Sequence, residues 1–190
     1  MGTTTTNAVP GTTAVAVVPT EIKGYLNENG DFVYDIGALK EIQLKGGKKI
    51  SIGEGSQLYR MYDMVENKDQ AVLDPNKWFT IENLYFETGS SELRTGSEAQ
   101  LLNLVEIMNA NPTMRIKLGG YTDNSGNEES NLKLSNLRAQ TAKLKLLELG
   151  IAGDRVEAEG YGAQYPVCQA NDTDECMAKN RRIDVRILSL

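Results

Sequence analysis

The strongest constraint on the fold is an alternation of strand and helix patterns in the C-terminal half of the chain. The segment MRIKLGG, residues 114–120, alternates apolar and polar side chains as a half-buried strand does. A long helix is predicted from about Glu129 to Leu149, because Gly150 then supplies a C-terminal cap. RVEAEGYG and RIDVRIL predict two further strands. Strands that alternate with helices over short links predict helices packed on a sheet.

The same pattern begins upstream, near Trp78. TIENLYFETGSSEL, residues 80–93, predicts a first strand of this unit. The following helix is expected to start with a capping box of Thr95 and Glu98 and to stop before Pro112. Residues 77–190 are therefore predicted to form one folding unit.

The long helix carries two stripes of different chemistry. Asn131, Ser135 and Arg138 are spaced by four and three positions, so they share a polar stripe near the helix start. Leucines form the other stripe and are expected to pack on the sheet. These are Leu134, Leu137, Leu144 and Leu147.

The N-terminal part divides into two segments. Residues 1–20, rich in threonine and proline, are predicted to be a flexible linker. Residues 21–76 predict a small β-rich module of two hairpins, the first turning at Asn29–Gly30 and the second at Gly46–Gly47, followed by one helix. Asn27, Asn29 and Asp31 also faintly resemble a calcium loop, although an Asn-Gly turn is the commoner structure.

Composition removes several classes of function. The net charge of −6 argues against nucleic acid or an anionic membrane as a general partner. The chain has no histidine, which excludes Ser-His-Asp and Cys-His nucleophiles and the commonest zinc sites. No catalytic residue, cofactor or metal is therefore expected. No run of about 18 apolar residues appears, so membrane association is expected only through an anchor outside this sequence.

The two cysteines, Cys168 and Cys176, are eight positions apart. A metal site would need more ligands and a redox pair would need C-x-x-C, so a disulfide is predicted. It implies an oxidising compartment. Two separate thiols are the alternative.

A polar junction joins the strand at 114–120 to the long helix. Asp123 lies in the loop, and Arg138 lies on the helix beside its positive N-terminal end. Arg138 suits a carboxylate and Asp123 suits an ammonium, so together they would hold a zwitterion such as an amino-acid head group. A plain Asp123–Arg138 salt bridge that orders the loop is an equally good interpretation. A calcium loop is weaker, because Glu128 occupies the position that needs glycine.

The motif T-D-x-x-G followed by N-x-x-L-S-x-x-R-A, at residues 122–139, resembles the signature of OmpA C-terminal-like domains. LYFETGSSEL, EGYGAQYPV and KNRRIDVRI resemble further segments of that family, so the likeness covers about residues 78–190. The resemblance implies an α+β fold, a βαβαβ two-layer sandwich with helices on a mixed sheet, here preceded by the small β-rich module.

The resemblance also implies the site and the ligand. In the family, the motif's aspartate and arginine hold the diaminopimelate side chain of the peptidoglycan stem peptide, which assigns those roles to Asp123 and Arg138. The remaining expected peptidoglycan-binding residues are Thr122, Asn131, Leu134, Ser135, Asn180 and Arg181. Tyr121 departs from the histidine of many members and would alter one wall of the pocket.

The expected function is therefore non-catalytic binding of peptidoglycan by a periplasmic, outer-membrane-associated protein that tethers the envelope to the wall. The alternative is an interaction scaffold of an envelope or secretion complex, in which residues 21–76 bind a protein partner. The third hypothesis is an enzyme that acts on the wall. Such an enzyme would need a carboxylate pair or a metal, and Asp123 with Arg138 offers neither.

Overall fold

The computed structural model describes residues 23–190, so the linker predicted at 1–20 lies outside the described residues. The strands are β1 (Gly24–Leu26), β2 (Phe32–Tyr34), β3 (Leu39–Gln43), β4 (Lys49–Gly53), β5 (Phe79–Thr80), β6 (Arg115–Gly120), β7 (Val156–Gly160) and β8 (Ile183–Ser189). The α-helices are α1 (Gln57–Glu66), α2 (Ala99–Ala110), α3 (Glu128–Glu148) and α4 (Asp174–Asn180). In this part of the chain no helix is both long and apolar enough to cross a bilayer.

The central sheet has the strand order β5-β8-β6-β7. β6 and β7 are parallel, and the connection between them carries α3. β8 enters between β5 and β6 and is antiparallel to both. This is the mixed sheet with helices expected for the fold, and it places the end of β6 beside the start of α3.

Two separate hairpins and α1 precede the sheet, as predicted. β1 pairs with β2, and β3 pairs with β4, each antiparallel. In the first turn Gly30 alone has a positive φ, of 77°, and the Asn27 side chain accepts hydrogen bonds from the amides of Asn29 and Asp31. The oxygen of Asn27 thus serves the turn. Ser56 caps α1 by accepting from the Tyr59 amide at 3.0 Å.

One cluster of buried apolar side chains runs from the N-terminal segment into the central sheet. Ile52 and Leu58 belong to it together with Leu101, Ile116 and Val185. The two segments therefore share a core, and the boundary at residues 76 and 77 stays a prediction.

Two local predictions around β5 are wrong. The strand expected at 80–93 is reduced to Phe79–Thr80 and an isolated bridge between Phe86 and Leu93, because Asn83 takes a left-handed φ of 58° and turns the chain away. The capping box is also absent: α2 begins at Ala99, and its cap residue Glu98 makes no side-chain capping bond.

The leucine stripe of α3 does not pack on the sheet as a whole, which corrects the predicted helix orientation. Leu137 and Leu144 are 45% and 57% exposed, whereas the buried face consists of Asn131, Ser135, Arg138, Ala139, Ala142 and Leu146. The reason is close contact between backbones. A Cβ on Gly120 would lie 2.1 Å from the Ser135 carbonyl oxygen, and one on Gly160 would lie 2.2 Å from the Asn136 nitrogen. Where the two backbones come closest, small side chains such as Ser135 and Ala139 face the sheet, and Leu146 is buried further along the helix.

The cysteines form the predicted disulfide, Cys168–Cys176. The second cysteine lies in α4, a short helix that the sequence patterns did not indicate. Thr173 caps this helix by accepting from the Cys176 amide at 3.2 Å. Asn180 at its end accepts from the amides of Val167 and Cys168, so the loop is closed by both covalent and hydrogen bonds.

Candidate functional site

A cleft of about 420 Å³ lies where β6 ends and α3 begins. Its walls come from the β1–β2 hairpin, the segment 81–94, the loop after β6, the first half of α3 and the end of α4. The volume is within the range of pockets that hold small molecules, roughly 300–1,000 Å³. Of the residues predicted to bind, the cleft is lined by Thr122, Asp123, Asn131, Leu134, Arg138 and Arg181.

Asp123 is one of the two acidic residues that line this cleft, the other being Asp31, and it is 8% exposed. Its Oδ1 accepts a hydrogen bond from the Ser125 amide at 2.8 Å. Asn131 reaches back from α3 and donates to the carbonyls of Asp123 and Ser125, at 3.3 and 2.8 Å. The helix therefore fixes the loop, and the loop fixes the carboxylate.

The ion-pair partner of Asp123 is Arg181, with 2.7 Å between Nη1 and Oδ2. Burial by itself would raise the pKa of the Asp123 carboxyl, but the hydrogen bonds from Arg181 and Ser125 outweigh it, and the pKa lies below its ordinary value. The carboxylate is thus charged at neutral pH. The alternative interpretation, an Asp123–Arg138 salt bridge, is therefore not the arrangement of the structure.

Arg138 lies on the buried face of α3 and is also 8% exposed. Its Nε donates to the Ser90 carbonyl at 2.9 Å, and its guanidinium lies 5.2 Å from the centre of the Phe86 ring. Burial and then the charge of Arg181 lower the pKa of the Arg138 guanidinium, against the opposing effect of Asp123. An arginine nevertheless stays protonated at neutral pH.

The charges of the cleft do not balance. Four arginines line it: Arg94, Arg138, Arg181 and Arg182. Arg94 pairs with Asp31, Arg181 with Asp123, and Arg182 with Asp184 at 2.9 Å. Within residues 23–190, Arg138 is the arginine of this cleft that has no carboxylate partner. The cleft therefore offers one uncompensated positive charge to an anionic ligand.

Other predicted residues divide into lining and supporting groups. The Thr122 hydroxyl is buried and makes no hydrogen bond among the described residues. Ser135 and Asn180 are not among the residues that line the cleft, and their part in peptidoglycan binding stays a prediction. Ser135 accepts from the Gly162 amide at 2.9 Å and so joins α3 to the loop after β7, while Asn180 holds the cysteine loop. Tyr121 is not among the lining residues, and the Arg182 guanidinium lies 3.9 Å from the centre of its ring.

Sequence reasoning missed the contribution of the N-terminal hairpin. Its turn lies at the cleft, where the Gly30 carbonyl accepts from Arg181 Nη2 at 2.7 Å. These residues are 151 positions apart, and no spacing in the sequence signals such a contact. Arg94 was missed for the same reason, since its partner Asp31 belongs to the hairpin.

Comparison with protein families matches residues 85–181, about half of the chain, to the family described as "OmpA family". A curated relative of Mycobacterium tuberculosis, "Peptidoglycan-binding protein ArfA", is 38% identical over 90 residues, which are 47% of this chain and 27% of the relative. The "Peptidoglycan-associated lipoprotein" of Mesorhizobium japonicum is 31% identical over 101 residues, 53% of this chain and 60% of the relative. The chain thus spans about a quarter to three-fifths of the length of these relatives.

Solved structures agree with the fold. The peptidoglycan-associated lipoprotein from Burkholderia pseudomallei has a TM-score of 0.52 and 28% sequence identity. The superposition covers 60% of this chain and 96% of that structure. A putative MotB-like protein from Desulfovibrio vulgaris, at 24% identity and a TM-score of 0.51, shares the fold over 68% of this chain and 90% of its own.

Proposed function

The chain belongs to the OmpA family, and from that premise we propose that it binds peptidoglycan without cutting it and tethers an envelope component to the wall. Two relatives carry peptidoglycan binding or association in their names, which supports the wall as the partner. The proposed location is the periplasm, in association with the outer membrane. A disulfide between Cys168 and Cys176 suits that oxidising compartment.

The ligand group proposed for the cleft is the diaminopimelate of the stem peptide. One observation carries this choice: the buried guanidinium of Arg138 has no carboxylate partner among residues 23–190. Its terminal nitrogens are free of hydrogen bonds in that part of the chain, and a guanidinium fork binds a carboxylate with two parallel bonds. The carboxylate at the end of the diaminopimelate side chain fits this demand.

The neighbouring ammonium of the same head group is assigned to Asp123. A carboxylate has about four acceptor positions. Two are used by the Ser125 amide and by Arg181, so the side chain can accept a further donor without losing either. Thr122 directly precedes Asp123, and its unpartnered hydroxyl oxygen is available to the same ammonium.

Calorimetric titration of the purified chain tests this function directly. We expect saturable binding of meso-diaminopimelate and of a stem peptide that contains it, and none of the same peptide with lysine at that position, because the lysine side chain ends in an ammonium without a carboxylate. Arg138→Ala should abolish the binding. Lys133→Ala, which removes an exposed positive charge from the same helix, is the matched control and should bind normally.

The second test measures binding to intact peptidoglycan. Purified sacculi should retain the wild-type chain and release no muropeptides. A double variant, Asp123→Ala with Arg138→Ala, should remain in solution. Equal retention of this variant and the wild type would contradict the proposed site, and released muropeptides would contradict the non-catalytic role.

A further inference from the structure

The β1–β2 hairpin, Gly24–Tyr34, lies against the cleft but outside the segment that matches the family, which begins at residue 85. Its turn and second strand supply five of the residues that line the cleft, including Asn29, Gly30 and Asp31. The hairpin therefore contributes to the cleft from outside the segment that the family model matches.

Contacts from several sides hold the hairpin in place. The Tyr34 amide donates to Asn83 Oδ1 at 2.8 Å, and the Tyr85 hydroxyl donates to the Phe32 carbonyl at 3.1 Å. The Phe32 side chain is 2% exposed, with the Lys179 ammonium 4.6 Å from its ring centre. These contacts indicate that the hairpin is a fixed wall of the cleft, because a mobile segment would bury few side chains and make few hydrogen bonds.

The hairpin also touches the charged groups of the site. Arg181 donates with one nitrogen to Asp123 and with another to the Gly30 carbonyl, at 2.7 Å each. On the neighbouring side Asp31 pairs with Arg94. The position of the turn is thus coupled to the orientation of the carboxylate that we assign to the ligand's ammonium.

One side chain of the turn is free to meet a ligand. Asn29 is exposed at the cleft, and its side-chain amide makes no hydrogen bond within residues 23–190. An amide offers two donors and one acceptor oxygen, which complement the N–H and C=O of a peptide bond. The two charges of the head group already have partners in Arg138 and Asp123, which leaves Asn29 to a peptide group.

We propose that the hairpin is a wall of the ligand-binding cleft and that Asn29 hydrogen-bonds a peptide group of the bound stem, next to the head group held by Arg138. This inference rests on the proposed function and extends it from the head group to the peptide. Asn83 is then a positioning residue, since it acts by fixing the hairpin.

Two variants separate the wall from the head-group site. Asn29→Ala should weaken binding of the stem peptide about three- to tenfold, the worth of one hydrogen bond, and leave the affinity for free meso-diaminopimelate unchanged. Asn83→Gly keeps a residue that tolerates the left-handed φ of 58° but removes the side-chain hydrogen bonds to Tyr34. It should also lower the affinity for the stem peptide more than the affinity for free meso-diaminopimelate. Asn76→Ala and Asn76→Gly, at an exposed position outside the cleft, are the matched controls.

The ratio of the two affinities is the decisive readout, because general destabilisation would lower both together. Thermal unfolding of each variant checks that it is folded at the titration temperature. If wild type binds the stem peptide and both variants bind it equally well, the hairpin is no part of the site although the proposed function stands. Tighter binding by the variants would show a cover that hinders the ligand and would also overturn the inference. Absence of binding by wild type would refute the proposed function itself.

Discussion

Arg181 and Asp123 form a hydrogen-bonded ion pair, 2.7 Å from Nη1 to Oδ2, although 58 positions separate them in the chain. Because Asp123 pairs with Arg181, Arg138 has no carboxylate partner among the described residues. Arg181 therefore keeps the acidic half of the site ionised and oriented, while Arg138 stays available to a ligand.

Arg138→Lys tests the need for a planar fork. Lysine preserves the charge but offers a single ammonium, so we expect affinity for meso-diaminopimelate to fall about tenfold, as one charge-assisted hydrogen bond is lost. Isothermal calorimetry gives the change. Lys133→Arg, the reverse exchange at an exposed position of α3, should leave the affinity unaltered. Unchanged affinity in Arg138→Lys would show that the ligand does not use the fork.

Asp123→Asn should destabilise the protein at neutral pH by about 1.5–3 kcal/mol, the range for a hydrogen bond to a charged group. Because the folded-state pKa of Asp123 is lowered below the ordinary 3.8, its stabilising effect is complete above that pH. It is lost as the pH falls further, through the folded-state pKa. Denaturant unfolding of both proteins from pH 7 to pH 2.5 should show the difference shrinking only below about 3.8. A difference that already disappears near pH 5 would contradict the lowered pKa.

The pKa of the Glu82 carboxyl is shifted in the opposite direction to that of Asp123. It accepts from the Gln57 amide at the start of α1, yet its other oxygen is buried without a partner among the described residues. Burial raises the pKa of its carboxyl from 4.5 to about 7. The folded state therefore holds the proton more tightly, so the contribution of Glu82 to stability should be most favourable below pH 4.5 and fall as the pH rises through about 7.

Glu82→Gln should remove this dependence. The neutral amide avoids the cost of a buried charge, so at pH 8 the variant should be more stable than wild type, by up to about 3 kcal/mol. Near pH 4 the two proteins should unfold at similar denaturant concentrations. A wild-type stability that does not change between pH 5 and pH 8 would refute the prediction. Glu54→Gln, at an exposed glutamate, is the control.

Removal of the disulfide should lower stability without removing the fold. Replacing Cys168 and Cys176 by serine frees a short loop, which the loop-entropy model values at about 2.5 kcal/mol. Thermal unfolding of the wild type with and without reductant gives the change in unfolding temperature that the disulfide causes. The unfolding temperature of the double variant should not depend on the reductant. Asn180 keeps its hydrogen bonds to this loop, so ligand affinity should change little. A loss of binding would show that the loop orders Arg181 as well.

Local patterns predicted most of the fold because they depend on neighbouring residues. The two hairpins, α1, β6 and the end of α3 at Gly150 follow from turn glycines, caps and periodicity. The buried face of α3 could not be predicted in that way. Its leucines follow a helical period, but the helix backbone comes so close to Gly120 and Gly160 that Ser135 and Ala139 face the sheet there.

The candidate site was predictable in part for a similar reason. Asp123, Asn131 and Arg138 lie within one motif, and the structure brings them to one cleft. Arg181 was expected near the site, but its role as the partner of Asp123 depends on the long-range pairing of β6 with β8. The hairpin reaches the cleft through tertiary packing alone, which no local pattern encodes.

Gly120 and Gly160 do not line the cleft, yet they set the distance between α3 and the sheet. A methyl group at either would push the helix outward and carry Arg138 and Asn131 away from Asp123. Two chains could therefore share every residue of the cleft and still differ in binding. A comparison of relatives that aligns only the contact residues would give both the same function. The glycines under the helix belong in that comparison, because they decide whether the contact residues meet.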